Sequence, residues 1–199
     1  MVILGITIAF QLENWRSHSE QKNSERFYLQ SLLADVNADI VDIRFIIDNL
    51  EGDKKSVEKY LPVMYRQPAD SLLQPVTDII SLETFMGHQN TYQTLIASSD
   101  VNSISNQEVV RLMMDFYSKY VSIRRFETVY TNAIFEMNRH FAGSMIYDQR
   151  KLTDPSVRDM PLTRNYLVIA ISQLNNGIED YREALETAEA LKKAIEGSL

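Results

Sequence analysis

An all-α fold, an antiparallel bundle of three long helices with shorter helices packed beside them, is what this sequence predicts. Three observations carry the expectation. Apolar residues recur at alternating spacings of four and three along three long segments, the pattern that gives a helix one greasy face. The period-two alternation of a half-buried strand is weak throughout. Stop and start signals for helices stand between the segments: Gly52–Asp53, Asn90, and Ser105-Asn106-Gln107-Glu108.

The chain opens on Val2, Ile3, Leu4, Ile6, Ile8, Phe10 and Leu12, a run without charge in which only Thr7 and Gln11 are polar. As a helix, about 12 residues rise ~18 Å, short of a hydrocarbon core of ~30 Å. The run lacks the basic start and small-residue cleavage site of a signal peptide. Trp15 and Arg16 follow it, an aromatic and a cation placed as at a membrane boundary. Residues 1–15 therefore read as the C-terminal part of a transmembrane helix whose upstream half lies outside this sequence. Residues 16–28 read as a juxtamembrane stalk, and residues 29–199 as the bundle.

The first long segment carries Leu29, Leu33, Val36, Ile40, Ile43, Ile47 and Leu50. It predicts one helix continuous from the membrane to about Glu51, ~75 Å by helix rise. Gly52 is expected to stop it and Asp53 to cap the next. A helix over Lys54–Arg66 should be disturbed by Pro62. Gln67–Val76, with Pro68 and Pro75, reads as a loop, and Thr77–His88 as a helix. Thr91–Ser98 is expected to be capped by Asn90, with Gln93 three residues on. The capping box at Ser105 opens the second segment: Val109, Met113, Phe116, Tyr120, Ile123, Tyr130, Ile134, Met137 and Phe141. After a long loop, Tyr147–Arg164 with Pro155 and Pro161, comes the third: Leu167, Ile171, Leu174, Ile178, Tyr181, Leu185, Ala188 and Ile195. One stripe cannot bury itself, so the three need one another or a partner chain. The aromatic side chains of the second segment fall at helical spacing and read as core.

Composition excludes several functions. With 20 Lys and Arg against 27 Asp and Glu the formal charge is −7. The only basic clusters are pairs such as Lys54–Lys55, Arg124–Arg125 and Lys192–Lys193, so no nucleic acid is expected as partner. Without cysteine there is no thiol catalysis and no iron–sulfur ligation. No phosphate-binding or dinucleotide fingerprint appears among 6 Gly, and no nucleophile elbow accompanies the 3 His.

The candidate chemistry is thin. Glu127 occupies a heptad position in register with Tyr120 and Ile134, where an unpaired carboxylate is costly. Either it binds a ligand or metal inside the bundle, or the stripe drifts to Phe126 and Glu127 reaches solvent near Arg124. Helical drift from a 3.5-residue repeat favours the second. Glu136 and His140, four apart on one face, complete a candidate metal set with Glu127. A di-iron bundle needs Glu-x-x-His motifs, and this sequence has none. No cofactor or catalytic residue is assigned. The charged stretch Arg16–Arg26 interrupts the apolar stripe and reads as a solvated stalk or a linker that sets oligomer register.

Two stretches resemble a known family. ILGITIAFQLENW (residues 3–15) is similar to the membrane exit of a bacterial family common in Bacteroidota, domain of unknown function 6090. TYQTLIASSDVNSISNQEVVRLMMDFY (residues 91–117) is similar to that family's turn and capped aromatic helix, with Ser99–Asp100 where a Ser–Gly pair is usual. The resemblance implies a single N-terminal span, preceded by basic residues, and a helical domain of no established activity. It implies a bacterial inner-membrane protein with the domain in the periplasm. Read alone, Arg16, Lys22 and Arg26 after the run put the domain in the cytoplasm.

The function expected from all this is a membrane-anchored, non-catalytic interaction, sensory or scaffold module. Its partners would be the lipid bilayer and a second copy of itself or another membrane protein. The alternative is a ligand- or metal-binding bundle enzyme using core carboxylates.

Overall fold

A computed structural model describes residues 2–146 and 148–199, and the side chains from Gln11 onward within them. The fold is an all-α helical bundle. Its helices are α1 (Val2–Tyr60), α2 (Leu73–Ile80), α3 (Asn90–Ser98), α4 (Gln107–Ala142) and α5 (Pro161–Glu196). The three long predicted helices are α1, α4 and α5. Among the described residues sheet is confined to a hairpin of two-residue strands, β1 (Met145–Ile146) and β2 (Lys151–Leu152), with Met145 opposite Leu152.

Contacts divide the chain into two compact units. The first comprises residues 1–40, 87–117 and 187–199, the second residues 41–86 and 118–186. In the first unit, the segment from His88 to Ser105 runs antiparallel to α1. As its numbering rises, its partners on α1 fall from Asp39 through Asp35 and Tyr28 to Glu25. In the second unit, α4 and α5 are antiparallel. Lys119 meets Glu183, Phe126 meets Gly177, and His140 meets Thr163.

Several boundaries correct the sequence reading. Gly52 does not end α1, which continues to Tyr60 for 59 residues. A glycine in a helix interior costs about 1 kcal/mol. Burial of Ile43, Ile46, Ile47 and Leu50 before it and of Val57 and Tyr60 after it outweighs that loss. The helix ends before Pro62, whose ring forbids continuation and which sits in a short 3-10 turn, Leu61–Val63. The expected loop around Pro75 is partly helical. Pro75 lies in the first turn of α2, where its missing N–H costs nothing. The helix expected over Thr77–His88 stops at Ile80, and the chain to Gln89 has no regular structure.

The caps differ too. Asn106, not Ser105, caps α4: its Oδ1 accepts from the Glu108 N–H at 3.0 Å. Ser105 gives its N–H and hydroxyl to Glu25 of α1, both at 2.6 Å. Asn90 is the first residue of α3 rather than its cap, and Asp35 of α1 accepts from the Thr91 N–H at 3.2 Å. At the other end of α3, Ser99 takes the left-handed conformation with φ 61°. Glycine holds this position without strain, whereas serine pays about 1 kcal/mol.

The long Tyr147–Arg164 loop is mostly built structure. The Asp154 side chain accepts from the Ser156 N–H at 2.9 Å and starts a 3-10 turn, Pro155–Asp159. Arg158 then donates to the Gln67 carbonyl at 2.9 Å. Pro161 begins α5, the first-turn position proline favours.

The buried stripes run wider than the strict heptads. Leu33, Ile134, Ile171 and Leu185 are half-buried, while Leu32, Ile46, Leu112, Phe126, Ala170, Ala184 and Leu191 are buried. A core-facing helix buries a face wider than a 3.5-period seam, and that face drifts from the seam by about 20° per heptad.

Candidate functional site

Residues Ser81–Gln89 form neither helix nor strand, so their backbone N–H groups lack ladder partners. Carboxylates supply acceptors. In the second unit, Glu127 on α4 accepts from the Phe85 N–H at 2.5 Å and from the Tyr181 hydroxyl at 2.8 Å. The Phe85 ring, 7% exposed, packs edge-on against Tyr120 and Tyr181. Burial, then the Glu127 carboxylate, push the Tyr181 phenol far above its usual range. Glu127 is therefore a half-buried structural acceptor. The stripe does drift to Phe126, which is buried, yet Glu127 turns to the backbone of residue 85 rather than toward Arg124.

The other two members of the expected metal set have separate partners. Glu136 is exposed and paired with Arg139. His140 lies 3.0 Å from the Thr163 hydroxyl, beside Phe141 and Tyr166. Thr163, buried, donates its only hydroxyl proton to the Val157 carbonyl. It must then accept from His140, which assigns the neutral ring proton to Nε2. Burial lowers the His140 pKa. Glu127 and His140 are 13 positions apart, about 20 Å of helix rise, so one ion cannot bridge them. Among the described residues, no three His, Asp or Glu side chains group as metal ligands.

In the first unit the same device recurs with a residue the sequence reading missed. Asp39 on α1 is fully buried, and its Oδ1 lies 2.8 Å from the His88 N–H and 2.9 Å from His88 Nδ1. The Tyr117 hydroxyl donates to the His88 carbonyl at 3.1 Å, and Tyr92 stacks on Tyr117 with centroids 4.3 Å apart. Asp39 had a signal. It lies on the stripe Leu32, Val36, Asp39, Ile43, Ile46, Leu50, which shares Val36, Ile43 and Leu50 with the stripe read from sequence and differs from it by one residue at each position between.

A third carboxylate stands out by its proton affinity. Asp53, half-buried on α1, is pushed up to about 7 by burial and then by Asp78. Asp78 itself accepts from Ser56 Oγ at 2.5 Å and from Gln74 Nε2 at 2.7 Å. An unfolded aspartate titrates near 4, so between roughly pH 4 and 7 the folded state binds the extra proton. Stability contributed by Asp53 is then lost as pH rises through that window and is constant above it. Asp53→Asn should remove the slope and raise stability at pH 8 by about 1–2 kcal/mol, the shift being discounted for a half-exposed group. Urea midpoints at pH 5 and pH 8 measure it, and an equal slope in the variant would contradict the assignment.

Two of the depressions in the second unit lie against α5. A groove of about 670 Å³ between α1 and α5 is walled by Glu51, Lys54, Lys55, Glu58, Arg182 and Glu186. Its charges pair across it, Arg182 with Glu51, and along it, Lys54 with Glu58, so it is a solvated seam. A void of about 20 Å³ among Ile79, Tyr130, Ala133, Met137 and Ala170 holds one water-sized probe and no substrate.

The remaining feature is the start of α1. From Gln11 to Tyr28 no side chain is buried; Leu12 is 60% and Trp15 73% exposed, and Leu29 is the first core residue from Gln11 onward. Arg16 pairs with Glu20 at 2.9 Å. The side chains of Val2, Ile3, Leu4, Ile6, Ile8 and Phe10, expected to anchor the chain, lie outside the described residues. Among the described residues no helix is long and apolar enough to cross a membrane.

Fold and site together define a class: an all-α bundle whose inward carboxylates hold irregular backbone in place, with an exposed helical extension. Compared with protein-family models, with curated proteins and with solved structures, the chain finds no match.

Proposed function

We propose that the chain is a membrane-tethered helical interaction or sensory module that works without catalysis. The observation that carries this reading is the bare helix between Gln11 and Ser24, every side chain of which is exposed. An isolated helix of this length is marginal in water, and here it continues an apolar run into a packed domain. Lipid around residues 1–15 and a stalk over residues 16–28 account for both. Packing against the domain begins at Glu25 and Tyr28, which bond Ser105 and Asp100, and Leu29 is the first buried side chain from Gln11 onward, which supports a stalk that ends by residue 28. The resemblance of residues 3–15 and 91–117 to domain of unknown function 6090 supports the same arrangement, a single-pass bacterial inner-membrane protein with a periplasmic domain. The partners are then the bilayer and a second copy or another membrane protein.

Liposome flotation of the full chain tests the tether. It should rise with vesicles of phosphatidylethanolamine and phosphatidylglycerol at high salt, and a Leu12→Asp/Trp15→Asp variant should rise less. A chain that stays at the bottom of the gradient while circular dichroism reports it helical would defeat the reading.

A further inference from the structure

The first unit contains an imidazole tied to a buried carboxylate just ahead of α3, an arrangement suited to a proton-operated clasp. We propose that protonation of His88 tightens the hold of the Gly87–Ser98 segment on α1, and that its deprotonation loosens that hold.

Residue 88 is gripped at three places. Its N–H and its ring Nδ1 both meet Oδ1 of Asp39, at 2.8 and 2.9 Å, and its carbonyl accepts from the Tyr117 hydroxyl at 3.1 Å. Gly87, immediately before it, has φ 66°, a turn that aims both the N–H and the ring at α1. The two partners differ sharply in exposure: the Asp39 side chain is 0% exposed and the His88 side chain 47%. Water can therefore deliver a proton to the ring, while the carboxylate it faces is shielded from solvent screening. A charge pair with one buried member is screened less than a surface pair.

Two carboxylates beside the ring favour its cation, and the phenols near it are neutral. On α1 these are Asp39 and Asp35, whose Oδ2 accepts from the Thr91 N–H at 3.2 Å. On α4 the group is the Tyr117 phenol. Burial, then Asp39, then Asp35, then Tyr92 of α3 raise its pKa, so it stays neutral through the physiological range. With the ring neutral, Asp39 receives two hydrogen bonds between neutral and charged groups. With the ring protonated, one of them becomes an ion pair, a contact about twice as strong. The gain is fully present below the imidazole's ordinary range near 6.5 and is lost at higher pH, where the folded ring gives up its proton. At still lower pH, protonation of Asp39 removes it again. The clasp is thus tightest at mildly acid pH, and its release frees α3, whose single fully buried side chain is Leu95.

Hydrogen exchange of the α3 amides, corrected for intrinsic rates, tests this in the full chain at pH 5.5 and pH 8. The opening equilibrium should rise about five- to tenfold at the higher pH in the wild type, following conversion of one ion pair to a neutral contact. His88→Gln, which keeps a side-chain donor but cannot titrate, should show the same opening at both values. Separately, the His88 ring signal followed by NMR should titrate at higher pH in the wild type than in Asp35→Asn. Equal opening at both pH values in the wild type, or an undiminished pH dependence in His88→Gln, would overturn the proposal.

Discussion

Gly177→Leu should lower the stability of the protein by about 2–4 kcal/mol, net of the modest helix-propensity gain on leaving glycine. Gly177 is buried on α5. A Cβ built there would lie 2.2 Å from Cζ of Phe126 and within 2.6 Å of both its Cε atoms. The ring has nowhere simple to go. It stacks on Tyr130 with centroids 5.5 Å apart, and its edge faces Tyr181 at 6.2 Å. At about 2–4 °C per kcal/mol for a chain of this size, the melting point should fall by roughly 5–15 °C. A double-mutant cycle with Phe126→Ala separates the clash from other effects. The double variant should be at least about 1 kcal/mol more stable than the two single losses added together. Strict additivity would mean that the close approach of α4 and α5 is not where the strain arises.

The second large effect is expected at Glu127. Glu127→Ala strands the Phe85 N–H and the Tyr181 hydroxyl. Each lost partner of a buried donor costs about 1–3 kcal/mol, for a total near 3 kcal/mol. Glu127→Gln retains an acceptor oxygen and should cost about 1 kcal/mol. Tyr181→Phe should lie between the two, because Phe85 keeps its partner. Chemical denaturation of the three variants gives the ranking directly. If Ala and Gln cost the same, the carboxylate's charge rather than its acceptor geometry holds residue 85, and the role of Glu127 as a structural acceptor fails.

These two sites also show what was legible in advance. The class of fold, the three long helices and most buried side chains follow from spacing alone, because burying one face of a helix demands it. The finer register did not follow. Between Leu32 and Leu50 two stripes share Val36, Ile43 and Leu50, and the one completed by Leu33, Ile40 and Ile47 is apolar throughout, which hides Asp39 among solvent positions. On α5, choosing Ile171 and Leu185 passed over Ala170, Gly177 and Ala184, whose seven-residue repeat marks the face where a neighbouring ring comes close. Large apolar residues attract the eye, but close packing is signalled by small ones. Gly52 misled for the opposite reason: a local propensity of about 1 kcal/mol yields to the burial of several side chains. Glu127 was singled out correctly as an anomaly. Its partners were not foreseeable, since one is a backbone N–H 42 positions away.

The interleaving of the two units along the chain has a practical outcome for anyone dissecting the protein. Residues 1–40, 87–117 and 187–199 build one unit, and the pieces between them build the other. No single scission liberates either. A deletion of the final thirteen residues takes Ala188, Leu191 and Ile195, all fully buried, out of a core whose other members are encoded more than seventy positions upstream. Half-length fragments should accordingly be poor folders when made alone, and co-expressed complementary pieces are the better route to a soluble product.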